Sequence, residues 1–212
     1  MKKQLILSAI AAVALGAPAA SMAESLDFNY KVDRFADIEV LRYKVPDFEQ
    51  LTTQQKELVY YLTEAALYGR DILTDQNGKY NLAIRTTLEN IYKNYDGSKD
   101  DADYKGFVLY LKQVWFANGI HHHYSTDKFT PQFSQAFFET QVKKLSKKQL
   151  PLKKGQTVDA FLKEITPVIF DPTVMAKRVN QANGQDLILT SANNYYEGVT
   201  QAEVEQFYAA MK

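Results

Sequence analysis

The sequence predicts a mainly α-helical fold with a few short β-strands. Three observations carry that expectation. Thr52-Thr53-Gln54-Gln55 and Thr200-Gln201-Ala202-Glu203 both have the form of a capping box, in which a threonine and the side chain three residues on satisfy each other's backbone amides. Apolar residues recur at helical spacing through most of the chain between them. Strand-like stretches, by contrast, are short: part of the arm from Asp27 to Asp47, and Leu187-Ile188-Leu189-Thr190.

The elements follow in order. Asp27 to Asp47 alternates in places (Ile38, Val40, Arg42, Tyr43) and closes at Pro46, so it reads as an extended arm with one strand. After the box at Thr52, the residues Leu58, Leu62, Ala65, Ala66, Ile72 and Leu73 predict one long amphipathic helix running to about Leu73. Asp75-Gln76-Asn77-Gly78 is a turn, because Asn-Gly tolerates positive φ. A second helix spans Leu82 to Tyr95, with Ile84, Leu88, Ile91, Tyr92 and Tyr95 on one face. Asp100 or Asp101 caps a third, whose Tyr104, Phe107, Val108, Leu111, Val114 and Trp115 form a wide apolar stripe. Asn118-Gly119 stops it.

Helix four covers Pro131 to Leu145, with Phe133, Phe137, Phe138 and Leu145 inward. Lys143, Lys144, Lys147 and Lys148 near its end suit the negative pole of a helix better than an acidic partner. Thr157 to Ile165 is a short helix stopped at Pro167, and Val168 to Pro172 leads to a turn. The last helix, from Thr200, carries Val204, Phe207, Tyr208 and Met211. Its apolar face continues to Met211 without a polar tail, so the sequence reads as the front part of something longer.

Residues 1–23 have the form of a secretory signal: Lys2 and Lys3, an Ala-rich apolar stretch from Leu5 to Ala20, then Ser21-Met22-Ala23 as a cleavage site. The apolar stretch is too short for a membrane anchor, and Pro18 interrupts it. No cysteine is present for lipid attachment. The expected mature chain, 24–212, is periplasmic or secreted and carries a net charge near −2. That balance offers no electrostatic attraction to nucleic acid, or to an anionic membrane after signal cleavage. Without cysteine there is neither a disulfide framework nor thiol catalysis, so an exported chain holds together by core burial. Its 14 tyrosines, 12 phenylalanines and single tryptophan are ample material.

Phosphate-binding loops and the G-x-S-x-G elbow are both missing. The distinctive polar cluster is His121-His122-His123, which holds every histidine of the chain. Three adjacent histidines cannot supply the one-turn spacing of a thermolysin-like zinc helix. In extended backbone His121 and His123 share a side and His122 points away, so metal binding needs a third ligand from elsewhere. Pocket lining and a purely structural role are the other readings of the run.

The stretch from Phe107 through Asn118-Gly119-Ile120-His121-His122-His123-Tyr124-Ser125-Thr126-Asp127-Lys128-Phe129-Thr130-Pro131 resembles the dipeptidyl peptidase III family in its bacterial form. So do Ala65 to Leu73, Val168 to Met175 and Asn193 to Thr200, in the same order, so the resemblance spans essentially the whole of 24–212. The family consists of two-lobed α+β zinc exopeptidases that remove dipeptides from peptide N-termini. The resemblance implies that this chain is an incomplete N-terminal lobe, a wall of the cleft that accepts short peptides.

Zinc in such enzymes is held by H-E-x-x-G-H and a later E-E-x-R-A-D-like stretch. Neither occurs here, and no histidine follows His123. The resemblance therefore places the zinc ligands, and the catalytic glutamate, on a C-terminal half outside this sequence. It assigns substrate contact to His123 and Tyr124, the loop's origin to Asn118 and Gly119, and a tethering salt bridge to Lys128. Asn193, Asn194 and Tyr196 are weaker candidates. Animal members carry Ser-Phe where this chain has His123-Tyr124, so the aromatic ring is kept and its polar neighbour differs. The alternative expectation is a non-catalytic exported peptide-binding module or remnant.

Overall fold

The computed structural model describes residues 28–211; the segment read as a signal, 1–23, lies outside them. Among the described residues there are seven α-helices and one two-stranded antiparallel sheet, so the fold is mainly α. The described residues divide into two compact units, 28–51 and 52–211.

In the first unit, β1 (Lys31–Phe35) pairs with β2 (Ile38–Leu41), Phe35 opposite Ile38. The single strand expected here is therefore a hairpin. Ala36, at φ 47°, reverses the chain within two residues, which lets the second half of the arm fold back on the first. Register slips between Lys31 and Asp33, and Ile38 is the strands' one buried residue. A single 3₁₀ turn, Phe48–Gln50, follows.

The second unit opens with α1 (Thr53–Tyr68), capped as expected: Gln55 N donates to Thr52 Oγ1 at 3.3 Å and Thr52 N to Gln55 Oε1 at 2.9 Å. The long helix expected to reach Leu73 is divided at Gly69, and α2 (Arg70–Gln76) continues it. Its expected inward stripe is also absent. No residue of α1 is buried, and Leu58, Leu62, Ile72 and Leu73 are all more than half exposed. The cause lies in the sequence: Leu58-Val59-Tyr60-Tyr61-Leu62 is apolar on every side of a helix, so periodicity singles out no face. The turn that follows uses ordinary helical angles (Asn77 φ −72°), not the positive φ expected of Asn-Gly.

The core forms between α3 (Asn81–Asn94), α4 (Ala102–Ala117), α5 (Gln135–Lys144) and α6 (Val158–Phe170). Ile84, Leu88 and Ile91 of α3 face Phe107, Leu111 and Val114 of α4, all essentially inaccessible, whereas Tyr92, expected inward, is exposed. Asp101, Ser134 and Thr157 cap α4, α5 and α6 through side-chain oxygens. Gly106 sits mid-helix because the backbone of Gln132 crosses there. A Cβ at position 106 would lie 1.8 Å from the Gln132 carbonyl oxygen. Burying these side chains contributes about 1.5–3 kcal/mol each before conformational entropy is set against it.

Pro167 does not stop α6, which continues to Phe170. The proline removes one amide bond, but Val168 and Ile169 on the next turn are buried, and Asp171 N closes the end on Pro167 O at 3.0 Å. Leu187 to Thr190 is a single turn, not a strand. Asp186 Oδ1 accepts from both Ile188 N and Leu189 N at 2.9 Å and so draws the backbone into a coil. The final helix, α7 (Gln201–Ala210), carries the capping box at Thr200 and Glu203, with Phe207, Tyr208 and Met211 exposed.

Candidate functional site

The loop that follows α4 begins as the sequence indicates. Asn118 takes the left-handed conformation (φ 53°, ψ 45°) and Gly119 adopts φ 149°. Gly119 is also sterically required, since a Cβ there would lie 2.3 Å from the Nδ2 of Asn81. Asn81 is 2% exposed, and its Oδ1 accepts the Ile120 amide at 3.3 Å. From α2's end, Asn77 Nδ2 donates to the Ala117 and Asn118 carbonyls at 3.4 and 3.1 Å.

Residues 120–129 then double back as a narrow hairpin: Phe129 N to Ile120 O at 2.9 Å, His122 N to Asp127 O at 2.7 Å. A third segment joins its edge through Lys128 N to Ala176 O (3.0 Å) and Arg178 N to Thr126 O (2.8 Å). A fourth adds Ala192 N to Lys177 O and Asn193 N to Arg178 O. Sequence-distant loops thus make a small ladder under the histidine run.

The alternation expected for the three histidines does not hold, because the chain enters a turn at His123. His121 points inward, 2% exposed, with Nε2 2.7 Å from the Met175 carbonyl oxygen. A carbonyl only accepts, so Nε2 carries the proton. Burial pushes the ring's pKa down to about 4, and the ring is neutral at ordinary pH. His122 Nδ1 accepts the amides of Tyr124 and Ser125 at 3.2 and 3.1 Å. His123 is half-buried, its ring 5.0 Å from Phe116 and 4.5 Å from Tyr124. Tyr124 stands at the tip, 85% exposed. The rings of His122 and His123 are neighbours, 4.4 Å apart, where the sequence put them on opposite sides.

His121 commits Nε2 to a carbonyl inside the fold and His122 commits Nδ1 to backbone amides, so each could offer a metal only its other ring nitrogen. Among the described residues no group of three or more His, Asp or Glu side chains converges.

Lys128 tethers the loop differently from the expected salt bridge. Its Nζ donates to the carbonyls of Val168 (3.0 Å), Val174 (2.6 Å) and Asp171, so the ammonium sits on the negative end of α6. Desolvation lowers its pKa, as burial of a cation should. The carboxylate partnership falls one residue earlier, where Asp127 meets Lys177 at 2.5 Å. Of the weaker candidates, Asn193 belongs to the ladder, and Asn194 reaches back to α2 through Gln76 O (2.9 Å) and Asp75 Oδ2 (3.4 Å). Tyr196 lines a cavity of about 430 Å³ with Tyr195, Tyr208, Leu187, Ile188 and Asn193, which shares no wall with Tyr124.

Sequence reasoning missed Arg178, Asn81 and Met175, and saw Asn77 only as a turn residue. Arg178 donates to Asn77 Oδ1 at 3.3 Å and to the His123 carbonyl at 3.2 Å. No local pattern marks an arginine for a loop 55 positions away. Comparison with protein-family models gave no match, and comparison with curated proteins gave none.

Proposed function

We propose that this chain is the peptide-binding part of a zinc-dependent dipeptidyl peptidase, with the zinc held by residues outside this sequence. The observation that carries the reading is Tyr124: an exposed aromatic ring at the tip of a loop whose base is fixed by Asn77, Asn81 and Arg178. A fixed base with a bare aromatic tip suits one task, presenting a flat apolar surface to a ligand side chain without first having to order the loop. The ring at position 124 is also the feature shared with the family that the run from Phe107 to Pro131 resembles. His123, wedged between Phe116 and Tyr124, sets the angle of that ring. Export to the periplasm or the exterior belongs to the same reading and rests on residues 1–23.

No hydrolytic step is assigned to this chain's residues, because the zinc motifs of the family it resembles do not occur in this sequence. Purified chain supplied with zinc is expected to leave dipeptidyl arylamides intact while binding short peptides. Replacing Tyr124 with Ala should weaken that binding by about 1–3 kcal/mol, the usual cost of losing an aromatic anchor. Stability should stay within about 0.5 kcal/mol of the parent, since the ring buries little in the fold. Hydrolysis by the chain itself, or unchanged peptide binding in Tyr124→Ala, rejects the reading. The second reading is a non-catalytic peptide-binding module. The reading frame past Lys212 separates the two: that motif downstream supports the peptidase, an immediate stop the module.

A further inference from the structure

Arg178 makes an unusual use of a guanidinium. No carboxylate lies within ion-pairing distance of it among the described residues; its two terminal nitrogens donate to neutral oxygens, and its buried Nε has no hydrogen-bond partner. One is the His123 carbonyl, at the outer end of the loop that carries Tyr124. The other is the side-chain oxygen of Asn77, whose own amide holds the Ala117 and Asn118 carbonyls at the inner end. Two donors and one planar group thus connect the beginning and the end of the segment 117–123. The backbone of Arg178 is itself pinned on both sides, its amide to Thr126 O at 2.8 Å and its carbonyl by Asn193 N at 3.1 Å. Those bonds join it to the return side of the hairpin and to the segment at Asn193, so the fork is a strut that links three segments of the ladder.

Resting on the peptide-binding reading above, we propose that Arg178, seated on Asn77, is the positioning residue that holds the His123–Tyr124 tip in its peptide-accepting shape. It does not touch the peptide. Without the strut the inner end of the loop stays anchored through Asn81 and Ile120, while the peptide plane between His123 and Tyr124 loses the bond to its carbonyl and keeps only the one from its amide to His122 Nδ1. Tyr124 then samples orientations that binding must first restrict, and affinity falls by the cost of that ordering. An arginine suits the task because its planar fork presents two donors at a set angle.

The test uses the full chain and the tetrapeptide Ala-Phe-Ala-Ala, titrated while backbone amide signals are followed by NMR. Arg178→Met is expected to weaken binding roughly ten-fold, about the effect of losing one or two buried hydrogen bonds. Arg178→Lys, which keeps a donor for the His123 carbonyl, should recover most of the loss. Asn90→Ala is the structural control: it removes a side-chain bond to the Gln149 carbonyl (2.8 Å) outside the loop. It should lower the unfolding temperature without changing affinity. If Arg178→Met does not fold, Asn77→Ala decides, with at least a three-fold loss expected from removing the fork's seat. Parental affinity in Arg178→Met, or in Asn77→Ala, overturns the strut while leaving peptide binding intact. An equal loss of affinity in Asn90→Ala overturns it as well. No binding by the parent chain removes both the strut and the reading beneath it.

Discussion

The Nε2 of His121 donates to the carbonyl of Met175 at 2.7 Å, and this bond ties the strand carrying the histidine run to the segment after α6. Nε2 donates in either protonation state, so this bond by itself favours the charged ring, and it is chiefly burial that keeps the ring neutral. The groups acting on the ring, after burial itself, are the Met175 carbonyl, Lys128, Arg178 and Asp127. In the unfolded chain the ring titrates near 6.5, and in the fold near 4. The unfolded chain therefore takes up the proton first, so the stabilisation is complete above about pH 6.5 and is lost as pH falls toward 4. The loss should reach about 3 kcal/mol. Asp127 and Asp171 are held below the ordinary carboxylate value of 3.8 by Lys177 and Thr173, and titrate beneath this window. Denaturant midpoints measured across it should fall more in the parent than in His121→Gln, where only carboxylates such as Glu164 and Glu197 still respond near its lower end; parallel curves would refute the assignment.

Lys128 bears on the same region from the helix side. Replacing it with Met deletes the ammonium from three carbonyls at the end of α6. The expected cost is about 2 kcal/mol in equilibrium unfolding, from lost charge-assisted bonds and the dipole contact together. A change under about 0.5 kcal/mol, the range of ordinary surface substitutions, would show that the carbonyls find other donors.

Gly119→Ala meets two obstacles at once. The position has φ 149°, which side-chain-bearing residues rarely adopt, and the new methyl would collide with the buried amide of Asn81. Destabilisation of about 2–4 kcal/mol is expected. Asn81→Ala should relieve the collision and recover part of it, so a double variant no more stable than Gly119→Ala alone would place the strain elsewhere.

α1 predicts a behaviour of the whole chain. Leu58, Tyr60, Tyr61, Leu62 and Tyr68 are each more than half exposed, a density of apolar surface that soluble monomers seldom present. The native chain is expected to bind an environment-sensitive hydrophobic dye, and Leu58→Gln with Leu62→Gln to reduce the signal. A monomer that unfolds cooperatively and leaves the dye dark would contradict this.

Local chemistry was legible in the sequence wherever one residue acts on its neighbours. The capping threonines at 52 and 200, Asp101 before α4 and the Asn118-Gly119 stop all depend on atoms within a few positions, and each stands where expected. The apolar faces of α3 and α4 were legible for the same reason, because their period singles out one side. Periodicity misled in α1, where it marks several sides, and Pro167 misled because burial of the next turn outweighs one missing amide.

The sequence by itself determined a mainly helical chain, its caps, and a sharply defined loop after α4 with Tyr124 in it. Only the tertiary structure decided which histidine turns inward, what Lys128 holds, and that Asn77 and Arg178 meet beneath the loop. Caps and periodic faces are set by bonds between near neighbours along the chain. The inward turn of His121 and the seat of Arg178 depend on segments more than 50 positions away, whose arrival is fixed by packing of the common core.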